Sequence, residues 1–504
     1  MTAYLRRATG AALLFVSTTQ MVNADVTAQD VWSDWKNYMT SVGYDVTGTE
    51  KASGDKLTIN DLSMSMQMPE EEGTISVDMS SLVFTGNSDG TVAVGMPGTV
   101  PIHISGQDGG DEFDVVVNFT QSGNSMVVSG APNDMNYNYT ASQIDMALAS
   151  LMVDGEQAPA DLARIVVTLT NIISSSQIKL ADMRDYSQRM SADSLNYDVA
   201  FNDPDSDEGG TFQGSILGLS FQGGGKIPLE MNTADFPAML AAGFAFSGAY
   251  EYASGNSSAE AKGDGEEFSY SGSSQGGRLD VAMDASHVAY DVSQKDTAIN
   301  VTTNQLPFPI SMEMAESSIR INAPVAESNE EQDFSFALKL GDFTMSDMIW
   351  SMFDPGAVLP RDPATIALDL AGKAKVLVNL LDPEMAANLS GPPGELNALN
   401  IKQLLVSVAG SKLSGTGNFT FDNSDLASFD GLPAPKGTAT LELIGANGLM
   451  DKLIQMGLMS DSDAMGARMM MGMLAVPGDG ADTLTSDIDI NDQGHISANG
   501  QRIK

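Results

Sequence analysis

The strongest constraint in this chain is a period of two. Leu57 and Ile59, then Met64, Met66 and Met68, then Ile75, Val77 and Met79 are apolar at alternate positions, with mostly polar residues between them. Alternation sends successive side chains to opposite faces of a strand, so each segment has one buried and one wet face. Similar runs follow at 91–96, 100–104, 113–120, 126–129 and 135–140. The segments 87–90 (Asn-Ser-Asp-Gly), 107–110 (Gln-Asp-Gly-Gly) and 122–124 (Ser-Gly-Asn) separate them, and these residues tolerate the positive φ of tight turns. Short turns join antiparallel neighbours. The predicted fold is mainly β, with large curved antiparallel sheets, a few short inserted helices and a mixed α/β C-terminal portion.

Helical spacing breaks this pattern at a few places. Val31, Trp35, Tyr38, Met39 and Val42 share one face of a helix predicted over 27–42, with Asp30 and Asp34 toward its start, where carboxylates suit the helix dipole. A helix capped by Asn232 is expected over 232–242, and the Gly/Ser-rich run 254–278 reads as hairpin turns or a mobile loop. Ser346 is placed to cap a short helix through Phe353, ended by Asp354-Pro355-Gly356. Strand is expected over 365–381, 401–408, 415–421 and 438–444, and a short helix over 383–389. Two helices, at 449–458 and 464–476, precede a terminal hairpin and the Asn499-Gly500 turn. The expected divisions are 1–24, 25–340 and 341–504.

The first of these is a leader. Arg6 and Arg7 precede a short apolar run, 8–16, and Val22-Asn23-Ala24 offers small residues at −3 and −1 of a cleavage site. This is the layout of a secretory signal peptide, with a mature chain starting at Asp25 and a periplasmic destination. No apolar stretch reaches the roughly 20 residues of a membrane-spanning helix, so none is expected in the mature chain.

Charge and chemistry narrow the function by exclusion. The 504 residues carry 66 Asp+Glu against 25 Lys+Arg, a formal charge of −41. Phosphate backbones are bound by Lys and Arg releasing counterions, so nucleic-acid binding is not expected. With no Cys, there are no disulfides, zinc-thiolate sites or thiol nucleophiles. Gly272-Ser-Ser-Gln-Gly276 fits G-x-S-x-G formally but lacks a strand-to-helix context, and His103, His287 and His495 read as strand or turn residues. The run Gly223-Gly-Gly-Lys226 lacks the spacing of a phosphate loop. The acidic run 203–209 opens like a calcium loop, but Glu208 stands where the turn glycine belongs and Gly214 where the bidentate glutamate belongs. Glu70–Glu72 and Glu330-Glu331 read as exposed turns. No catalytic, cofactor-binding or metal-binding residue is therefore assigned, and no enzyme activity is expected.

Methionine is the compositional oddity, at 31 residues. Met64, Met66 and Met68 share a strand face, and Met465, Met469, Met470, Met471 and Met473 crowd one predicted helix. Thioethers can hold Cu(I), but Met at these spacings is ordinarily core, and its flexibility also suits varied apolar ligands. A fainter pattern, apolar-x-Tyr-Asn/Asp-apolar, recurs at 135–139, 195–199 and 288–292, with irregular spacing that argues against a solenoid.

The second half carries a resemblance. The segments 341–355 (GDFTMSDMIWSMFDP), 359–365 (LPRDPAT), 418–431 (NFTFDNSDLASFDG), 465–472 (MGARMMMG) and 475–480 (AVPGDG) resemble an uncharacterised family of alphaproteobacterial exported proteins, a domain of unknown function. The closing helix pair and hairpin are also similar to those of a second uncharacterised family of Gram-negative envelope proteins. The resemblance implies secretion and a β-rich fold and supplies no activity. The functional expectation is an exported, non-enzymatic protein whose Met-, Leu- and Phe-rich sheet face takes a lipid or other apolar ligand in envelope maintenance. The alternative is a structural or protein-interaction module of the envelope with no small-molecule ligand.

Overall fold

A computed structural model describes residues 25–68, 73–108, 111–203, 206–230, 235–382, 389 and 391–504. The expected leader 1–24, Glu70–Glu72, part of the acidic run 203–209, the expected cap Asn232 and most of the expected helix 383–389 lie outside the described residues.

Among the described residues, 27 strands form a single sheet in which every pairing is antiparallel. The chain meanders, each long strand returning beside the last. Ala163–Leu180 pairs with Met183–Asn202, which pairs with Gly209–Pro228. Some rows of the sheet are two short strands end to end. Ala245–Tyr252 and Ser254–Gly263 together face Gly209–Pro228 on one side, and Gly277–Met283 and Glu266–Ser274 face them on the other. The Gly/Ser-rich run 254–278 is therefore mostly strand, with a hairpin turn at 264–265 and a break at 275–276, and not a mobile loop. Its small residues admit close backbone approach within the sheet. From there the meander continues through His287–Thr303, Ile310–Pro324, Gln332–Met345, Ala364–Val376, Gly394–Val408, Ser411–Asp422 and Ala434–Ile444 to Thr483–Ile490. Residues 340 and 341 lie inside one strand. The strand expected over 365–381 ends at Val376.

Five helices are described: α1 (Ala28–Ser41), α2 (Phe236–Ala241), α3 (Asp347–Phe353), α4 (Ala446–Gln455) and α5 (Asp461–Leu474). α1 starts at Thr27, whose hydroxyl accepts the Asp30 amide while the Asp30 carboxylate accepts the Thr27 amide, a reciprocal cap. Gly43, at φ 100°, reverses the chain after it. Ser346 stands at the start of α3, but its hydroxyl makes no cap hydrogen bond. The turn after α3 is held instead by buried Asp354, which accepts the amides of Val358 and Leu359, each at 2.9 Å.

α1 lies across one face of the first rows. Val31, Trp32 and Trp35 pack against Leu57, Ile59, Leu82, Phe84, Met135 and Tyr137, the principal core. Burying a side chain such as Val31 or Trp32 contributes about 1.5–3 kcal/mol. Two polar ties fix the helix. Trp32 donates to Glu50 at 2.8 Å, which with Lys36 holds that carboxyl below its ordinary range. Asp34 accepts two parallel bonds from Arg184, each at 2.7 Å, and both side chains are buried. Burial and the Asp34 charge raise the adjacent Tyr137 phenol well above its usual value.

Candidate functional site: an open apolar trough

Cross-strand partners share a face, so the registers assign every strand residue to one side of the sheet. The inner face is the one that α1 covers. A crease runs across it. Asp61, Asn171, Asp296 and Asp342 have φ between 46° and 53° in mid-strand. Asn171 lies opposite Ser142 on one neighbouring strand and Asp193 on the other, with a 2.7 Å side-chain bond to Asp193. Asp193 faces Gly218, Gly218 faces Ala253, Ala253 faces Gly276, and the line continues through Lys295 and Asp296 to Ala315 and Asp342. At each crossing the alternation slips by one. Ile144 and Ala141, Leu169 and Ile172, Leu195 and Ala192, and Ile216 and Leu219 therefore fall in one cluster although each pair is three residues apart. A left-handed residue bends and twists its strand as a bulge does. The aligned bends turn the sheet along this line as far as Gln332–Met345, dividing the rows it crosses into two walls.

The inner face is apolar on both walls. In the His287–Thr303 row it presents Val288, Tyr290 and Val292, then Ile299 and Val301; the next rows present Ile319, Ile321, Met312 and Met314, then Phe336, Leu338, Leu340 and Phe343. Ile366, Leu368 and Leu370, Leu404 and Val406, Leu413, Leu441 and Leu443, and Leu484 and Ile488 continue the stripe to the last long strand. Eleven consecutive rows, from Gly209–Pro228 to Thr483–Ile490, carry no charged side chain on this face other than Glu266 at a hairpin tip, the crease aspartates aside. At about 4.8 Å per row, that is roughly 50 Å of uncharged surface.

Glycines keep the lining smooth. A Cβ at Gly277 would lie 2.5 Å from the Tyr252 ring, and one at Gly223 would lie 2.8 Å from Phe221. The rings lie across bare backbone, where any side chain would lift them. The face is also open: Phe201 is 52%, Phe212 46% and Ile366 44% exposed. Phe201, Phe212 and Phe268 line a 760 Å³ hollow on one wall. At the first rows α1 closes the trough, leaving a 410 Å³ cavity against Met135, Leu180, Arg184 and Ile227.

The outer face carries the charge. Arg278 pairs with Asp280 and Glu251, Arg320 with Asp291, Lys339 with Glu316 and Lys373 with Asp333. A hollow of 770 Å³ on that side is lined by Arg278, Asp280, Asp291 and Arg320. Arg278 is paired with Asp280 and Arg320 with Asp291 there, while Arg189 also lines it without an ion-pair partner among the described residues. The lining is largely polar and offers no apolar surface comparable to the trough.

The residues weighed in the sequence fall apart spatially. Ser274 sits at the crease, its hydroxyl 2.9 Å from Tyr252, and the length of Gly277–Met283 separates it from His287. His103 is on the outer face opposite Ser76 and Val116, and His495 is in the last turn. Gly223 to Lys226 is mid-strand. Tyr137, Tyr197 and Tyr290, the recurring tyrosines, all face inward. Met64 and Met66 are inner-face residues as well, Met64 against the first core. The methionines of α5 are not core: Met465, Met469 and Met473 form a stripe on its solvent side, with Met469 65% exposed. What sequence reading missed is the crease, whose signal is a polar residue or glycine interrupting an apolar alternation at matched positions in neighbouring strands.

No helix among the described residues is long and apolar enough to cross a membrane. No curated protein and no solved structure matches the chain. A family model does, over residues 236–498, a little over half of the length and most of the uncharged trough. The chain belongs to that family, described as uncharacterized protein conserved in bacteria (DUF2125).

Proposed function

We propose that this is an exported, periplasmic, non-enzymatic protein whose trough holds a lipid or other elongated apolar ligand during envelope maintenance. The observation that carries this reading is the run of eleven rows with an uncharged, half-exposed inner face. Apolar surface left in water costs about 25 cal/mol per Å² relative to burial, and contiguous patches far smaller than this one ordinarily mark a binding site. The leader-like start at Arg6 and Arg7 and the resemblances to exported alphaproteobacterial and envelope families support the compartment.

Native mass spectrometry of residues 25–504, purified from the exported fraction without detergent, tests it. A stoichiometric lipid adduct, identified after extraction, is the expected result. A bare mass that persists after incubation with envelope lipids would remove the ligand. That outcome would favour the second reading, an interaction module, for which the exposed methionine stripe of α5 is the supporting feature.

A further inference from the structure

We infer that the trough selects ligands with no net negative charge, so that its lipids are zwitterionic or neutral and anionic phospholipids are excluded. The inference rests on the reading of the trough as an apolar-ligand site and names the class of ligand. A buried or half-buried phosphate needs a cation or several donors to replace its water. Among the described residues, the inner face of the eleven uncharged rows holds no Lys, Arg or His to supply one. The one basic side chain that faces inward in the row before them, Arg184, is already engaged by Asp34. Basic residues of these rows, such as Lys226, Arg278, Arg320 and Lys373, lie on the outer face.

The lips of the trough carry the opposite sign. Asp264, Glu266 and Glu267 stand at the hairpin tip on one wall, where Lys262 is the cross-strand partner of Glu267 and the carboxylates outnumber it, and Asp284, Glu327 and Glu330 stand near strand ends on the other. Hydrogen bonds from Ser286 hold the Asp284 carboxyl below its ordinary range, so it stays ionised. A headgroup left at the lip therefore meets a net excess of carboxylates, which repel a phosphate monoanion and accept an ammonium group. The overall charge of −41 adds a long-range term of the same sign.

The test is competitive loading. The mature chain is incubated with vesicles of equimolar phosphatidylcholine and phosphatidylglycerol with matched acyl chains, re-isolated, and its extracted lipid quantified. At low ionic strength phosphatidylcholine should exceed phosphatidylglycerol by about fivefold or more, and the ratio should shrink as salt screens the lips. Phe212→Arg, which puts a cation on the inner wall, should lower the ratio severalfold. Ile173→Arg, the same charge change at a 60% exposed outer-face position, should leave it unchanged. Equal uptake of the two lipids, or an equal response to both substitutions, would overturn the selectivity while leaving the trough as a lipid site. No uptake of either lipid would overturn both.

Discussion

Asp296 shows how a single residue shapes this sheet. It sits in mid-strand at φ 46°, a region in which an L-residue crowds its own carbonyl by about 1–2 kcal/mol and which Asp, Asn and Gly enter most readily. Asp61, Asn171 and Asp342 meet the same demand at other points of the crease. Asp296→Val should therefore destabilise by about 1–2 kcal/mol or more, because β-branching adds to the strain, whereas Asp296→Gly should be neutral or slightly stabilising. Urea denaturation of the three proteins decides this. Equal loss in both variants would mean that the carboxylate matters and the backbone conformation does not. These residues could be read in the sequence only as interruptions. That the interruptions line up depends on register, which no local pattern states.

At the scale of the element, α1 is the informative piece. Its amphipathic face follows from Val31, Trp35 and Tyr38, which the sequence shows, while the reciprocal Thr27/Asp30 cap that fixes its start came with the structure. Its docking does not follow, because the partner of Asp34 is Arg184, 150 residues away. Removing one side of a buried pair leaves the other charge stranded, at about 3–5 kcal/mol, while replacing both with apolar groups is often neutral. Arg184→Met should accordingly lose stability on that scale, and the double variant Asp34→Leu/Arg184→Met should recover most of it. Thermal melts of the two settle the matter; a double variant as unstable as the single would show that the pair contributes geometry that packing cannot replace. α5 is the opposite case. Its methionine spacing predicts a buried face, yet the stripe faces solvent, because the side chain that meets the fold is Ala464.

The whole molecule, whose described strands form a single sheet, has an accessible surface larger than that of a compact globule. Its accessible surface is 29414 Å², against about 18,000 Å² expected for a globular chain of this mass. The excess is larger than the 43 undescribed residues would supply even if fully solvated, at about 6,500 Å². A sheet closed on itself or fully covered would have erased that difference, so much of the sheet is uncovered. The charge of −41 also acts at this scale, as carboxylates repel one another through water. The melting temperature should rise between low and moderate NaCl as screening shortens that repulsion. A flat response would show that self-repulsion contributes nothing appreciable to the folded state.

Alternation of apolar and polar residues, and the turns between them, were enough to specify antiparallel strands, most of their positions and the sign of the surface. Those properties are local, set by which side of a pleat each residue occupies and which φ each turn residue tolerates. The 254–278 run escaped because serine and glycine carry no apolar alternation, although paired strands on both sides hold it in the sheet. Tertiary structure alone decided that one face stays uncharged through eleven rows, that the crease residues align, and that α1 closes the first rows and the end of α5 meets the last at Ser486, with exposed apolar side chains such as Phe212 and Ile366 between them. Each of these is a relation between residues tens to hundreds of positions apart, set by cross-strand register and by where the walls bend.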